Sequence, residues 1–157
     1  MRIIDIKGLV QPDPYILKSN NDYYIYSTGV DGIHCYKSDN LFEGWKHIGI
    51  VFSQIGQKEY WAPSVIERNG RFFMYYSSMP VGEEDTHTEN IKLAVCDTPD
   101  GKFEFVKDIL TPFSIDAHVV ENSAGLWMFY SQNKYVGDKV GTYIVVDRME
   151  NEYTISG

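Results

Sequence analysis

Three short aromatic runs that each end in serine constrain this chain more than any other feature: Tyr23-Tyr24-Ile25-Tyr26-Ser27, Phe72-Phe73-Met74-Tyr75-Tyr76-Ser77 and Leu126-Trp127-Met128-Phe129-Tyr130-Ser131. Their serines stand at 27, 77 and 131, intervals of 50 and 54 residues, and a period of that length marks a repeat architecture. The rest of each unit falls into line around the run. A short strand and a polar turn precede it: Asp13-Pro14-Tyr15-Ile16 before Asn20-Asn21-Asp22, Ala62-Pro63-Ser64-Val65 before Asn69-Gly70, and Asp116-Ala117-His118-Val119 before Asn122-Ser123-Ala124-Gly125. A third strand follows over 33–38, 92–97 and 142–147, and a fourth over 45–52, 103–110 and 153–157. Apolar and aromatic runs bounded by Gly, Asn, Asp and Pro read as strands, and no long amphipathic helix pattern competes with them.

Three units of four antiparallel strands predict an all-β fold, a β-propeller of which this chain holds three blades, over about 11–53, 60–111 and 114–157, in one partial domain spanning 1–157. A twelve-stranded β-sandwich is the alternative, but it has no reason to repeat with this period. Closed rings of this kind carry roughly four to eight blades, so three are expected to form an incomplete propeller. Its last blade then presents an apolar flank, and self-association through that open edge is expected. Unit two carries an insertion over 80–90, whose Glu83-Glu84-Asp85-Thr86-His87-Thr88-Glu89 reads as a solvated acidic loop or as a lid over a site. His87 among those carboxylates matches no standard metal spacing.

At 157 residues the chain is long enough for one domain with a core. A formal charge of −8 and a pI near 4.9 leave no basic face for a phosphate backbone, so nucleic acid is not an expected partner. No apolar run approaches a membrane span, and Met1-Arg2-Ile3-Ile4-Asp5-Ile6-Lys7 is broken by Asp5 and Lys7 before a signal-like segment can form. The expectation is no membrane partner, and a cytoplasmic location unless a leader has been removed. Cys35 and Cys96 make neither a disulfide framework nor a zinc spacing. Aromatic residues, 15% of the chain, suit strands that pack a core and equally surfaces that stack on sugars.

In Gln11-Pro12-Asp13-Pro14-Tyr15-Ile16 an acidic residue stands between two prolines, which predicts extended backbone at Asp13. The innermost strands of a propeller run parallel about its axis, so their first residues gather at one mouth of the channel. By the repeat these are Asp13, Ala62 and Asp116, two carboxylates from blades one and three, with Trp61 beside Ala62. Each carboxylate is a placed reagent or a turn cap, and the indole is a sugar platform or core filling. Return of the carboxylate in register favours the reagent. Paired carboxylates beside an aromatic wall suit glycoside hydrolysis, in which one acid protonates the departing oxygen and a carboxylate activates water or attacks the anomeric carbon.

Taken in order, Gln11-Pro12-Asp13-Pro14-Tyr15-Ile16, Tyr23-Tyr24-Ile25-Tyr26-Ser27-Thr28, Lys37-Ser38-Asp39-Asn40-Leu41 with Trp45, Tyr60-Trp61-Ala62-Pro63-Ser64-Val65 and Ser114-Ile115-Asp116 resemble the successive motifs of glycoside hydrolase family 43. The resemblance runs through essentially the whole chain. It implies a five-bladed ring of the β-xylosidase, α-L-arabinofuranosidase and endo-arabinanase kind, with a carbohydrate as partner. It further implies Asp13 as general base, Asp116 as the residue that orients the acid and adjusts its pKa, and a substrate pocket including Trp61, Ala62, Pro63 and His118. No cofactor is implied beyond a channel metal ion such as calcium, held by some complete members, and no ligands for it are identified in this chain. Ala117 follows Asp116 where proline or another small residue is usual. The family's general acid, a glutamate opening the inner strand of blade four, has no counterpart here, because neither Glu59 nor Glu121 occupies its place. The implied mechanism for a complete protein is single displacement with inversion, and these 157 residues alone are expected to be inactive. Two other readings compete. Sucrose-processing propellers retain configuration, but their opening reads Asn-Asp-Pro-Asn-Gly. A non-catalytic carbohydrate-binding or assembly module would keep the pocket wall alone.

Overall fold

The computed structural model describes residues 10–111, 113–134 and 141–156. They form three four-stranded antiparallel sheets, each with its strands in chain order. Sheet one holds β1 (Tyr15–Ser19), β2 (Asp22–Ser27), β3 (Ile33–Ser38) and β4 (Lys46–Phe52). Sheet two holds β5 (Gln57–Arg68), β6 (Arg71–Pro80), β7 (Asn90–Cys96) and β8 (Glu104–Asp108). Sheet three holds β9 (Ser114–Asn122), β10 (Gly125–Lys134), β11 (Gly141–Asn151) and β12 (Thr154–Ile155). The tight turns after β1 and β5 place Asn20 and Asn69 at φ 53°, the left-handed conformation that Asn tolerates and that a two-residue hairpin turn demands.

Period-two alternation explains why the aromatic runs are so dense. In β6, Phe72, Met74 and Tyr76 point into the seam with sheet one, where they meet Tyr24, Tyr26, Ile33 and Cys35. Phe73 and Tyr75 point the opposite way, into the seam with sheet three, against Ala117, Val119, Leu126 and Met128. A strand buried on both faces needs an unbroken apolar run. Each such side chain contributes on the order of 1.5–3 kcal/mol on burial. Polar stitches cross the same seams: the Tyr26 hydroxyl donates to the Pro99 carbonyl at 2.7 Å, and the Tyr75 hydroxyl to the Glu152 carbonyl at 2.8 Å.

The last sheet departs from the expected strand limits. β11 is longer than 142–147, and β12 is reduced to Thr154–Ile155, with Gly157 outside the described residues. In the 80–90 insertion, residues 80–88 are exposed around a short 3-10 turn at Thr86–Thr88. Glu89 contradicts the reading of the whole acidic run as solvated, because it is completely buried. The cause is tertiary: the Glu89 carbonyl accepts the Ser114 amide at 3.2 Å, drawing the end of the loop into the seam between sheets two and three.

Candidate active site

The expectation of extended backbone at Asp13 is overturned. Asp13, Ala62 and Asp116 lie at φ 52°, 43° and 60°, all in the left-handed region. The reason is a β-bulge that recurs in the three inner strands. In β5 the three steps from Trp61 to Ser64 face the two from Ser77 to Tyr75. In β9 the three from Ile115 to His118 face the two from Ser131 to Phe129. Ahead of β1, Thr28 donates its amide to the Pro12 carbonyl at 3.2 Å while Tyr15 pairs with Tyr26, the same three against two. A bulge with a left-handed first residue turns that side chain out of the pleat. Asp tolerates the conformation because of its short polar side chain. Proline at positions 14 and 63 fits the extra bulge position, since it has no amide to leave unpaired. The three residues therefore belong to bulges, not to strand starts: Asp13 precedes β1, whereas Ala62 and Asp116 lie inside β5 and β9.

Around these bulges the three sheets meet. Thr28, at the end of β2, donates its hydroxyl to Asp13 Oδ2 at 2.7 Å and accepts the Ala62 amide at 2.8 Å. Gly29 and Tyr60 exchange both backbone hydrogen bonds, at 3.1 and 2.9 Å. Only glycine fits there, because a Cβ on Gly29 would lie 2.2 Å from the Gly32 carbonyl oxygen. Trp61 is half-buried, and its indole Nε1 donates to Glu59 Oε2 at 3.1 Å. Pro63 is buried behind it. His118 is exposed, with its ring 5.7 Å from that of Tyr15. Ser64 also lies against Tyr15 and accepts the Val119 amide at 3.4 Å, so residues from all three inner strands come together here.

Asp13 and Asp116 are both open to solvent, and they are close enough for their charges to interact. The Asp116 pKa is pushed up, first by the partial loss of water around it and then by the Asp13 charge, while a hydrogen bond from Ser131 pulls it back. Next to Glu59, buried Glu89 has neither carboxylate oxygen hydrogen-bonded. Burial raises its pKa to about 8; the Lys92 charge opposes this and the Glu59 charge adds to it. Ser77 faces it and lowers it slightly without reaching hydrogen-bond geometry. Sequence reasoning missed Thr28, Ser131 and Glu89 as site residues. For the first two a signal existed, because Ser131 closes the third aromatic run of the repeat and Thr28 directly follows the serine that closes the first. Among the described residues no three His, Cys, Asp or Glu side chains are grouped so as to hold a metal ion.

The chain resembles known proteins in both sequence and structure. Residues 6–157 match the model of glycosyl hydrolases family 43. A probable arabinan endo-1,5-alpha-L-arabinosidase C of Aspergillus clavatus is 35% identical over 81 residues, covering 48% of this chain and 25% of that protein. Among solved structures, a thermostable family-43 glycoside hydrolase matches with a TM-score of 0.83 at 25% identity, covering 100% of this chain and 54% of that one. The endo-arabinase from Bacteroides thetaiotaomicron VPI-5482 matches at 0.79 and 24% identity, over 96% of this chain and 55% of that one. This chain thus spans about half the length of the solved relatives, with its three sheets as blades of their five-bladed propeller. With the family model matched from residue 6 to residue 157 and every blade accounted for in a solved member, the chain belongs to glycosyl hydrolases family 43.

Proposed function

We propose that this chain carries the base side of an inverting glycosidase that acts on arabinose- or xylose-containing saccharides, α-1,5-linked arabino-oligosaccharides foremost. One observation supports this best: Asp13 and Asp116, from blades one and three, stand on matching left-handed bulges, near enough for the Asp13 charge to act on Asp116. Asp13 takes a proton from water as that water attacks the anomeric carbon. Asp116 holds the acid protonated through its nearby negative charge. Glu59 is engaged by Trp61, Glu121 pairs with Arg68 and Glu89 is sealed from solvent, so none of these three is assigned as that acid. The acid comes from beyond these sheets. The uncovered face of sheet three, with Val120, Phe129, Ile144 and Val146 exposed, takes another sheet, and in the chain by itself that sheet belongs to a second copy.

The test is hydrolysis of linear arabinan and of aryl arabinosides and xylosides. Residues 1–157 alone are expected to be inactive, and robust turnover would refute the need for an external acid. In a longer protein that carries these residues, Asp13→Asn should lower kcat by roughly 10²–10⁴-fold. The first-formed sugar, followed by proton NMR, should have inverted configuration. Retention would point to a carboxylate nucleophile instead.

A further inference from the structure

Thr28 sits where two left-handed residues from different blades come together, and its hydroxyl both donates and accepts there. A hydroxyl has one proton to donate and lone pairs to accept with. The Ala62 amide can only donate, so the 2.8 Å contact uses an acceptor lone pair of Oγ1. The hydroxyl proton must then go to Asp13 Oδ2, 2.7 Å away. Threonine is branched at Cβ and stiff about χ1, and the backbone on either side of it is pinned, by the Thr28 amide to the Pro12 carbonyl and by the Gly29–Tyr60 pair. The hydroxyl is therefore held in place from four directions. The register-equivalent groups elsewhere are arranged differently. Ser78, which follows the blade-two serine, donates to Gln57 Oε1 at 2.9 Å, and in blade three it is Ser131 itself that lies against Asp116. In blade one the repeat serine, Ser27, is buried without a partner.

We propose that Thr28 is the positioning residue of the site: it fixes Asp13 with Oδ2 as permanent acceptor and locks the carboxylate to the Trp61–Ala62 peptide of the next blade. This rests on the assignment of Asp13 as general base, and it names the reacting atom. With Oδ2 occupied by the Thr28 proton, Oδ1 is the oxygen that receives the proton from water. One water O–H bond breaks and its proton moves to Oδ1, while a lone pair of the water oxygen forms the new bond to the anomeric carbon; the glycosidic C–O bond breaks in the same step, and the departing oxygen takes the proton of the acid. The same hydroxyl sets the distance between the carboxylate and the indole wall, because the Ala62 amide belongs to the peptide that follows Trp61.

The hydrogen-bonded chain from Asp13 through Thr28 to Ala62 can be read without any activity. In the ¹⁵N–¹H spectrum of the chain, the Ala62 amide shift should follow the protonation of Asp13 as pH is lowered. Asp13→Asn should flatten that curve, Thr28→Ser should keep it, and Thr28→Val should abolish it and speed Ala62 amide exchange about 10-fold or more. An unchanged Ala62 curve in Thr28→Val, or in Asp13→Asn, would overturn the proposal; should Thr28→Val not fold, the Asp13→Asn comparison decides. In an active longer protein, Thr28→Val should lower kcat about 10- to 100-fold with little change in KM, and Thr28→Ser should restore most of it. If Asp13→Asn abolishes turnover while Thr28→Val does not, the positioning role has failed. If Asp13→Asn itself stays active, it is the assignment of the base that has failed.

Discussion

Glu89 shows what one buried side chain does to the whole chain's response to pH. A carboxylate with no hydrogen-bond partner and no exposure to water is tolerated only with a proton on it. The nearest positive charge does little to change that, because the Lys92 ammonium is itself buried and donates to the Ser78 carbonyl, the Asn90 carbonyl and Asn90 Oδ1 at 2.7, 3.2 and 2.5 Å. The folded pKa of Glu89, about 8, lies above its ordinary value of 4.5. Between those values the unfolded chain has lost the proton and the folded chain has kept it, so this group lowers stability as pH rises, by up to about 1.4 kcal/mol per pH unit. Glu89→Gln should remove that slope: little effect at pH 4.5, and a variant more stable than the parent by a few kcal/mol at pH 8. Denaturant melts at the two pH values check it, and a parent that loses no more stability than the variant would refute it. Nothing in the acidic run distinguished Glu89 from Glu83 or Glu84. Its burial comes from the backbone contact with Ser114, 25 residues away.

At the scale of the strand, the bulge decides where the two carboxylates stand. Asp13 and Asp116 suit a left-handed position, whereas Ala62 has only a methyl group and no polar atom to compensate. Ala62→Gly should relieve strain of roughly 1–2 kcal/mol against an entropy cost of about 0.5–1 kcal/mol, a net gain near 0.5–1 kcal/mol. Calorimetry should show the melting temperature rising by about 1–4 °C. A fall would mean that the methyl contact outweighs the backbone. The repeat made these three positions recognisable as equivalents, and that part of the site was legible. The bulge was not, because the one-residue shift of alternation that it causes at Ile115-Asp116 is too short to stand out in the residue types. Proline was visible at 14 and 63, but its effect on the preceding residue pointed to extended backbone, and the pairing of the inner strands with β2, β6 and β10 prevailed.

The three sheets differ in how many neighbours they have. Sheet two is covered on both faces, while sheet three has one face in a seam and the other in water, with Ile144 83% and Val146 49% exposed. Tyr143, Ile144, Val145 and Val146 form an apolar run as continuous as β6, so the sequence already called for cover on both faces of β11 without saying what supplies it. Ile144→Lys together with Val146→Lys should convert self-associated chain to monomer in sedimentation velocity. A parent chain that is monomeric at tens of micromolar would exclude the proposed second copy. The seams also carry a consequence for chemistry. Asp13 and Asp116 belong to sheets that flank sheet two, so the gap between them is gauged by the thickness of a blade that contributes no carboxylate. Side chains such as Met74 in one seam and Leu93 in the other act as shims. Changing their volume would widen or narrow the gap between Asp13 and Asp116 without altering either carboxylate.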